Sequence, residues 1–338
     1  MIEVKNNFPA KGNAYILFGF EAVQARPNLD PYTSMLRTND ETFQVFTSDV
    51  HIKHHVRRGL KSEAVAEKFP NAENMIFYEK KDEAGNPYDF STRLRQIRAA
   101  SSIGKKAEDK KDALYHTLDL PLFGYVHAVK SETKDKSESF NVTNSVNTLF
   151  RPVTFHSCEI YSLGRNNAFQ TVDENTQKVK DAAGSAAVDS LEYGFFLSLW
   201  EINLNMLRIN AQNSKIVNWQ TEGAAKWISL LVNGMWRAYT TDRYPSFTQR
   251  SQFAQFLLGW TPAPEAELSY ANPAELYAVL EEKRITTHAG AVDALKKILP
   301  DFLTGWQCNP DNVFAVKKAH NFDCPLPGDA QRVFCSSN

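Results

Sequence analysis

Residues 49–61 read DVHIKHHVRRGLK, and the spacing inside them frames the rest of the chain. At about 100° per residue, Ile52, Val56 and Leu60 fall on one stripe roughly 80° wide, the mark of a helix docked by a single apolar seam. Thr47 or Ser48 caps its start. Asp49 lies in the first turn, where a carboxylate complements the positive helix end. The rest of the circumference carries Lys53, Arg57, Arg58 and Lys61 with His51, His54 and His55: four formal positive charges and no acid between residues 51 and 61. Such a face can lie along a phosphate backbone, and its plainer reading is a solvated basic surface.

Outward from this helix, which runs to about Lys68 before Pro70, the pattern mixes strands and helices. NAYILFGFEAV (13–23) is rich in β-branched and aromatic residues and reads as a buried strand. A loop with Pro27, Asn28, Pro31 and Asn39 joins the two. Short strands are expected at 75–78, 118–129, 150–161 and 193–204, and helices at 223–239, 273–283 and 287–299. Residues 79–117 are polar and read as an insertion; 162–189 are weakly apolar and read as an extension. Strict βαβ alternation is missing, so the expected class is α+β rather than a doubly wound sheet.

The 338 residues carry 38 Lys+Arg and 39 Asp+Glu, a formal charge of −1, which taken alone argues against a nucleic-acid partner. The charge is segregated, however. Between residues 93 and 111, Arg93, Arg95, Arg98, Lys105, Lys106, Lys110 and Lys111 face only Glu108 and Asp109, leaving +5, while acids gather at Glu265, Glu267, Glu275, Glu281 and Glu282. Ala14–Phe20 is too short for a signal or membrane segment, so no membrane partner and a cytoplasmic location are expected. Glycine-built phosphate loops, H-E-x-x-H, G-x-S-x-G and EF-hand motifs are absent, and no cofactor is implied. His51 and His55 stand at metal-ligand spacing without an acidic or cysteine partner. Cys308, His320, Cys324 and Cys335 supply four potential zinc ligands, but without a C-x-x-C pair they read equally as ordinary thiols and a histidine.

One run of residues resembles a known family. Asn28-Leu29-Asp30-Pro31, Arg37, Thr47-Ser48-Asp49-Val50-His51-Ile52-Lys53 and Arg57 are similar, in order, to the N-terminal signature of the CRISPR Cascade backbone subunit, of the repeat-associated RNA-binding superfamily. Weaker likenesses follow at Pro121-Leu122-Phe123-Gly124, Arg151–Phe155, Leu191–Phe196, and Met235-Trp236 with Asp242-Arg243. Leu29 stands where the family has Gly and His54 where it has Arg, which marks a divergent branch. The resemblance implies a modified RNA-recognition-motif (ferredoxin-like) palm from 1–78, 118–161 and 190–260. It further implies a helical or finger-like insertion at 79–117, a β-hairpin thumb at 162–189, and a C-terminal helical segment and tail at 261–338.

It also implies a non-enzymatic subunit that polymerises head to tail along one CRISPR RNA, beside other Cascade subunits, and presents the guide for pairing with target DNA. The RNA-contact residues implied are Arg26, Asn28, Ser48, Lys53, His54, Arg57, Arg58, Lys61 and Arg165, with Phe169 a candidate base stacker. Two alternatives come from the same superfamily. An endoribonuclease would process precursor RNA through a histidine, although the last 40 residues hold only Gly305 and Gly328 where such enzymes carry a glycine-rich loop. A target-RNA-cutting subunit would use Asp30, which before Pro31 is also a natural turn former. A small-molecule α+β enzyme is the third alternative, with no titratable cluster in its favour.

Overall fold

The computed structural model describes residues 2, 4, 8–9, 12–25, 28, 30, 35–40, 45–69, 75–78, 88–100, 112–130, 137–149, 153–154, 160–163, 171–172, 179–180, 188–214, 216–240, 255–262, 287–308, 310–319 and 326. Its centre is a long antiparallel pair. Strand β1 (Asn13–Ala25) runs beside β9 (Val188–Asn203), in register from Asn13↔Asn203 to Ala25↔Leu191. On its other edge β1 pairs with β10 (Gln255–Trp260), which pairs in turn with β11 (Val313–Lys318), all antiparallel. The far side of β9 is covered by short strands β4 (Val146–Thr148), β5 (Val153–Thr154) and β6 (Ile160–Leu163).

Strand β1 has two apolar faces because the sheet is covered on both. Ala14, Ile16, Phe18, Phe20 and Ala22 point to one side, while Tyr15 and Leu17 point to the other. The first side receives α1 (Asp49–Ala66) and α5 (Val217–Thr240) through Ile52, Val56, Leu60, Trp227, Leu231 and Met235. The second receives α6 (His288–Gly305) through Leu295, Leu299, Phe302 and Leu303. The two helices on the first side cross at glycines. A Cβ on Gly59 would overlap the Gly234 carbonyl oxygen, and one on Gly234 would sit 2.8 Å from Leu60 Cδ2. Polar ties finish the seam: buried Glu63 pairs with Arg237, and Lys226 lies 3.5 Å from Glu67.

A third apolar cluster lies apart from both sheet faces. It joins Phe77, α2 (Phe90–Ala100), residues 113–115, the one-turn helix α3 (Asp119–Phe123), and the β2 (Tyr125–Lys130)–β3 (Ser137–Val142) hairpin. Helix α4 (Leu204–Asn213) holds it from one side, where the buried Asn210 amide donates to the Pro121 and Thr143 carbonyls at 2.7 and 2.8 Å.

The mixed class with an antiparallel sheet agrees with the sequence expectation, and local departures have physical causes. Residues 118–129 split into α3 and β2, because Asp119 places a carboxylate at a helix start and Gly124 (φ 77) ends the turn. Residues 75–78 form no strand; their amides turn inward to a side chain. Helix α5 begins earlier than expected and is broken at Gly223, whose φ of 66 only glycine adopts readily. Within the expected extension, β7 (Thr171–Val172) pairs with β8 (Val179–Lys180). The helix expected at 273–283 lies outside the described residues.

Candidate nucleic-acid interface

The start of α1 is the organising point. The Ser48 hydroxyl accepts from the His51 amide at 3.3 Å, and the Ser48 carbonyl accepts from the Ile52 amide at 3.1 Å. The preceding loop folds back on itself: the Asp30 amide donates to the Met35 carbonyl at 2.9 Å, Arg37 lies 3.5 Å from the Asp30 carboxylate, and the Phe46 amide donates to the Arg37 carbonyl at 3.0 Å. Among the described residues of this loop, Asn28 Nδ2, Arg37 Nε and Thr47 Oγ1 are buried without a hydrogen-bond partner. Asn28 also adopts φ 55, which asparagine tolerates better than most residues. Buried polar atoms are nearly always paired, so the unpaired Thr47 hydroxyl just ahead of a helix N-terminus fits a site for an anionic ligand.

The polar residues of α1 divide into two groups. His51 and His55 meet at 3.2 Å between their Nε2 atoms, one ring donating and the other accepting, and His54 stands edge-on to His55 with centroids 5.5 Å apart. Arg58 is exposed and Lys61 half-buried beside them. Lys53, with 17% of its side chain exposed, pairs at 3.3 Å with the more exposed Asp49 one turn earlier. Arg57 differs from these. Its Nε lies 3.3 Å from Asp119 Oδ2, a carboxylate with no exposure, and its guanidinium carbon sits 4.6 Å from the Tyr78 ring centre and 5.1 Å from that of Phe123. The Nε–Asp119 contact is an ion pair without hydrogen-bond alignment. Asp119 also accepts the Phe77 amide at 2.8 Å and the Tyr78 amide at 3.1 Å. Burial raises the Tyr78 phenol above its ordinary 10.0, Arg57 opposes that shift, and Asp119 adds to it.

Of the residues implied as RNA contacts, Ser48, Lys53, His54, Arg57, Arg58 and Lys61 are thus on or beside α1, and Asn28 is buried in the loop that leads to it. Arg26, Arg165 and Phe169 lie outside the described residues. The run LDLPLFGYVHAV looks like a strand, which hides Asp119; an acid two residues before an early-turn proline is the helix signal it carries. In the second basic segment Arg93 is buried, its guanidinium donating to the Ile76 and Phe77 carbonyls.

Among the described residues no group of three His, Cys, Asp or Glu side chains could hold a metal. Burial pushes the Cys308 thiol up to about 12, a thiol rather than a ready thiolate ligand. His320, Cys324 and Cys335 lie outside the described residues. No described helix is long and apolar enough to cross a membrane.

An antiparallel sheet covered on both faces, with a basic helix at its side, defines a mixed α/β protein whose available polar surface is helical rather than a sheet face. The family model of the CRISPR-associated protein Cas7 matches residues 12–243, so the chain belongs to the Cas7 family. Two similar solved chains come from complexes titled "CRISPR RNA-guided surveillance complex". The one labelled "pre-nicking" is 11% identical, with a TM-score of 0.45, covering 88% of this chain and 90% of that one. The other is 12% identical with a TM-score of 0.39, covering 90% of each chain. No curated protein sequence matches.

Proposed function

We propose that this protein is a CRISPR-RNA-binding backbone subunit that assembles with copies of itself and other Cascade subunits in the cytoplasm, and presents the guide for target-DNA pairing. The observation that carries the reading is the Cas7 family match across residues 12–243, which spans β1, the loop, α1 and α5. In this reading the sheet with α1 and α5 is a modified RNA-recognition-motif palm, and the β7–β8 hairpin belongs to its thumb. An ordinary RNA-recognition motif stacks bases on an open sheet face. Here α6 fills one face, and α1 with α5 the other, so RNA meets the helix instead. Arg58 and Lys61, with Lys53, supply cations to the phosphates, and the His54 ring supplies a hydrogen-bond donor. The first-turn amides with Asn28 and Thr47 supply hydrogen bonds to an anion. Sequence specificity then belongs to base pairing, since contacts of this kind read backbone and not bases.

The subunit is proposed to be non-catalytic. Asp30, the candidate nucleophile-activating acid of the cleaving alternative, is engaged with Arg37 and with the turn that closes on Met35, which supports a structural role. The test is RNA binding over a salt series. Charge reversal at Arg58 and Lys61 together should flatten the log–log slope by about 1.4, or roughly 0.7 per lost single-strand phosphate contact. An unchanged slope would take α1 out of the interface. Asp30→Ala should leave a complementary target RNA uncut and its binding unaltered; dependence of RNA cleavage on Asp30 would establish the nuclease instead.

A further inference from the structure

We propose that Arg57 is an internal tie rather than a phosphate ligand, and that Asp119 is the positioning residue that fixes the basic face of α1 against the lobe formed by the third apolar cluster, with Phe77, α2 and the β2–β3 hairpin. This rests on the reading of α1 as the RNA-contact helix. Spacing alone groups Arg57 with Lys53, Arg58 and Lys61, but its surroundings are of another kind. Its side chain is about as covered as that of Lys53 (13% against 17% exposed), but its partner carboxylate has no exposure where Asp49 keeps 43%, and aromatic rings of Tyr78 and Phe123 flank the guanidinium. A cation so neutralised offers a distant phosphate little field, and leaving Asp119 for an RNA oxygen would strand a buried charge.

The geometry gives the pair a different use. Asp119 binds three things at once: the Phe77 amide, the Tyr78 amide and Arg57. The first two belong to the segment that Arg93 also grips through the Ile76 and Phe77 carbonyls. That segment carries Phe77 into the apolar cluster with Leu94, Ile97, Leu120 and Phe140. Arg57 lies one turn of α1 before Lys61 and adjoins Arg58. The carboxylate therefore joins this lobe to the part of α1 that faces RNA, and the rotation of that face is set through it. A change in the lobe, such as contact with a neighbouring subunit, would reach the RNA face by this route.

The experiment uses the full-length chain freed of nucleic acid and a fluorescently labelled single-stranded RNA. Affinity is measured across a salt series for the parent protein, Arg57→Gln, Asp119→Asn, the double variant, and Lys61→Gln as a phosphate-contact reference. Lys61→Gln should lower the slope by about 0.7. Arg57→Gln and Asp119→Asn should each weaken binding about tenfold at unchanged slope, and the double variant should be no weaker than either single one, as expected of a coupled pair. A slope loss in Arg57→Gln equal to that in Lys61→Gln would make Arg57 a ligand and overturn the tie. Unchanged affinity in both single variants would reduce the pair to a purely structural contact. If the parent protein binds no RNA, the functional reading fails while the tie is still decided by hydrogen exchange. Arg57→Gln should then speed exchange both in α1 and at residues 75–78, and unaltered exchange in α1 would refute it. Arg57→Lys, which keeps the charge but loses the guanidinium's reach, serves beside Arg57→Gln if Asp119→Asn does not fold, and the same slope and exchange criteria apply to it.

Discussion

The two basic segments, 51–61 and 93–111, look alike in composition and are used differently. In the first, Arg58 is exposed and Lys61 half-buried on α1, because one apolar stripe suffices to seat the helix on α5 and the sheet. In the second, the described part begins with Arg93, which is buried and spends its donors on two backbone carbonyls. Arg57 crosses between the categories: it sits in the first segment's sequence and in the second segment's chemistry. Formal charge therefore locates basic residues but does not say which ones face a ligand. The deciding quantity is whether a buried acceptor lies within reach of the cation.

Substitutions can break this contrast at its strongest point first. Asp119→Ala removes the acceptor of two amides and strands Arg57, and should destabilise the fold by about 3–5 kcal/mol in chemical denaturation. Arg93→Ala leaves the Ile76 and Phe77 carbonyls without their charged donor and should cost about 2–3 kcal/mol in the same assay, with little effect on the salt dependence of RNA binding. Charge-neutral variants of Arg58 and Lys61 should show the reverse: a smaller shift of the denaturation midpoint than Arg93→Ala and a flatter salt slope. A stability loss there as large as at Arg93 would erase the distinction between the segments.

Alkaline pH sharpens the comparison from the lobe's side. Tyr78, Tyr115 and Tyr125 all belong to it or border it, and burial raises each phenol above its ordinary 10.0. The folded state holds these protons more tightly than the unfolded chain does. Their contribution to stability is complete below pH 10 and is lost as pH rises toward the folded values. Denaturation midpoints should fall above pH 10, and removing Arg57 should move Tyr78's ionisation to still higher pH, because the guanidinium is the group that favours the phenolate. Tyrosine-resolved NMR titration checks both the direction and the residue.

Much of the architecture was legible because it rests on local periodicity. The stripe of Ile52, Val56 and Leu60 and the aromatic run of β1 each carry their own period, and both elements stand where that period puts them. Residues 118–129 were misjudged because composition favours a strand there, whereas a single carboxylate and Gly124 organise a turn of helix. The Asp119–Arg57 pair was illegible for a different reason. It joins residues 62 positions apart, and no pattern of spacing distinguishes an arginine that finds a buried acid from one that finds water. The unpartnered Asn28 and Thr47 likewise emerge only from burial, since both residues are common turn and cap formers.

The RNA that travels with the protein is the most direct test of a CRISPR-RNA-binding backbone subunit. Sequencing the nucleic acid that copurifies with the full-length chain from cells carrying a CRISPR array should return repeat–spacer units of uniform length, depleted when Arg58 and Lys61 are reversed in charge. Preparations free of nucleic acid, or a random sample of cellular RNA unaffected by those substitutions, would contradict it.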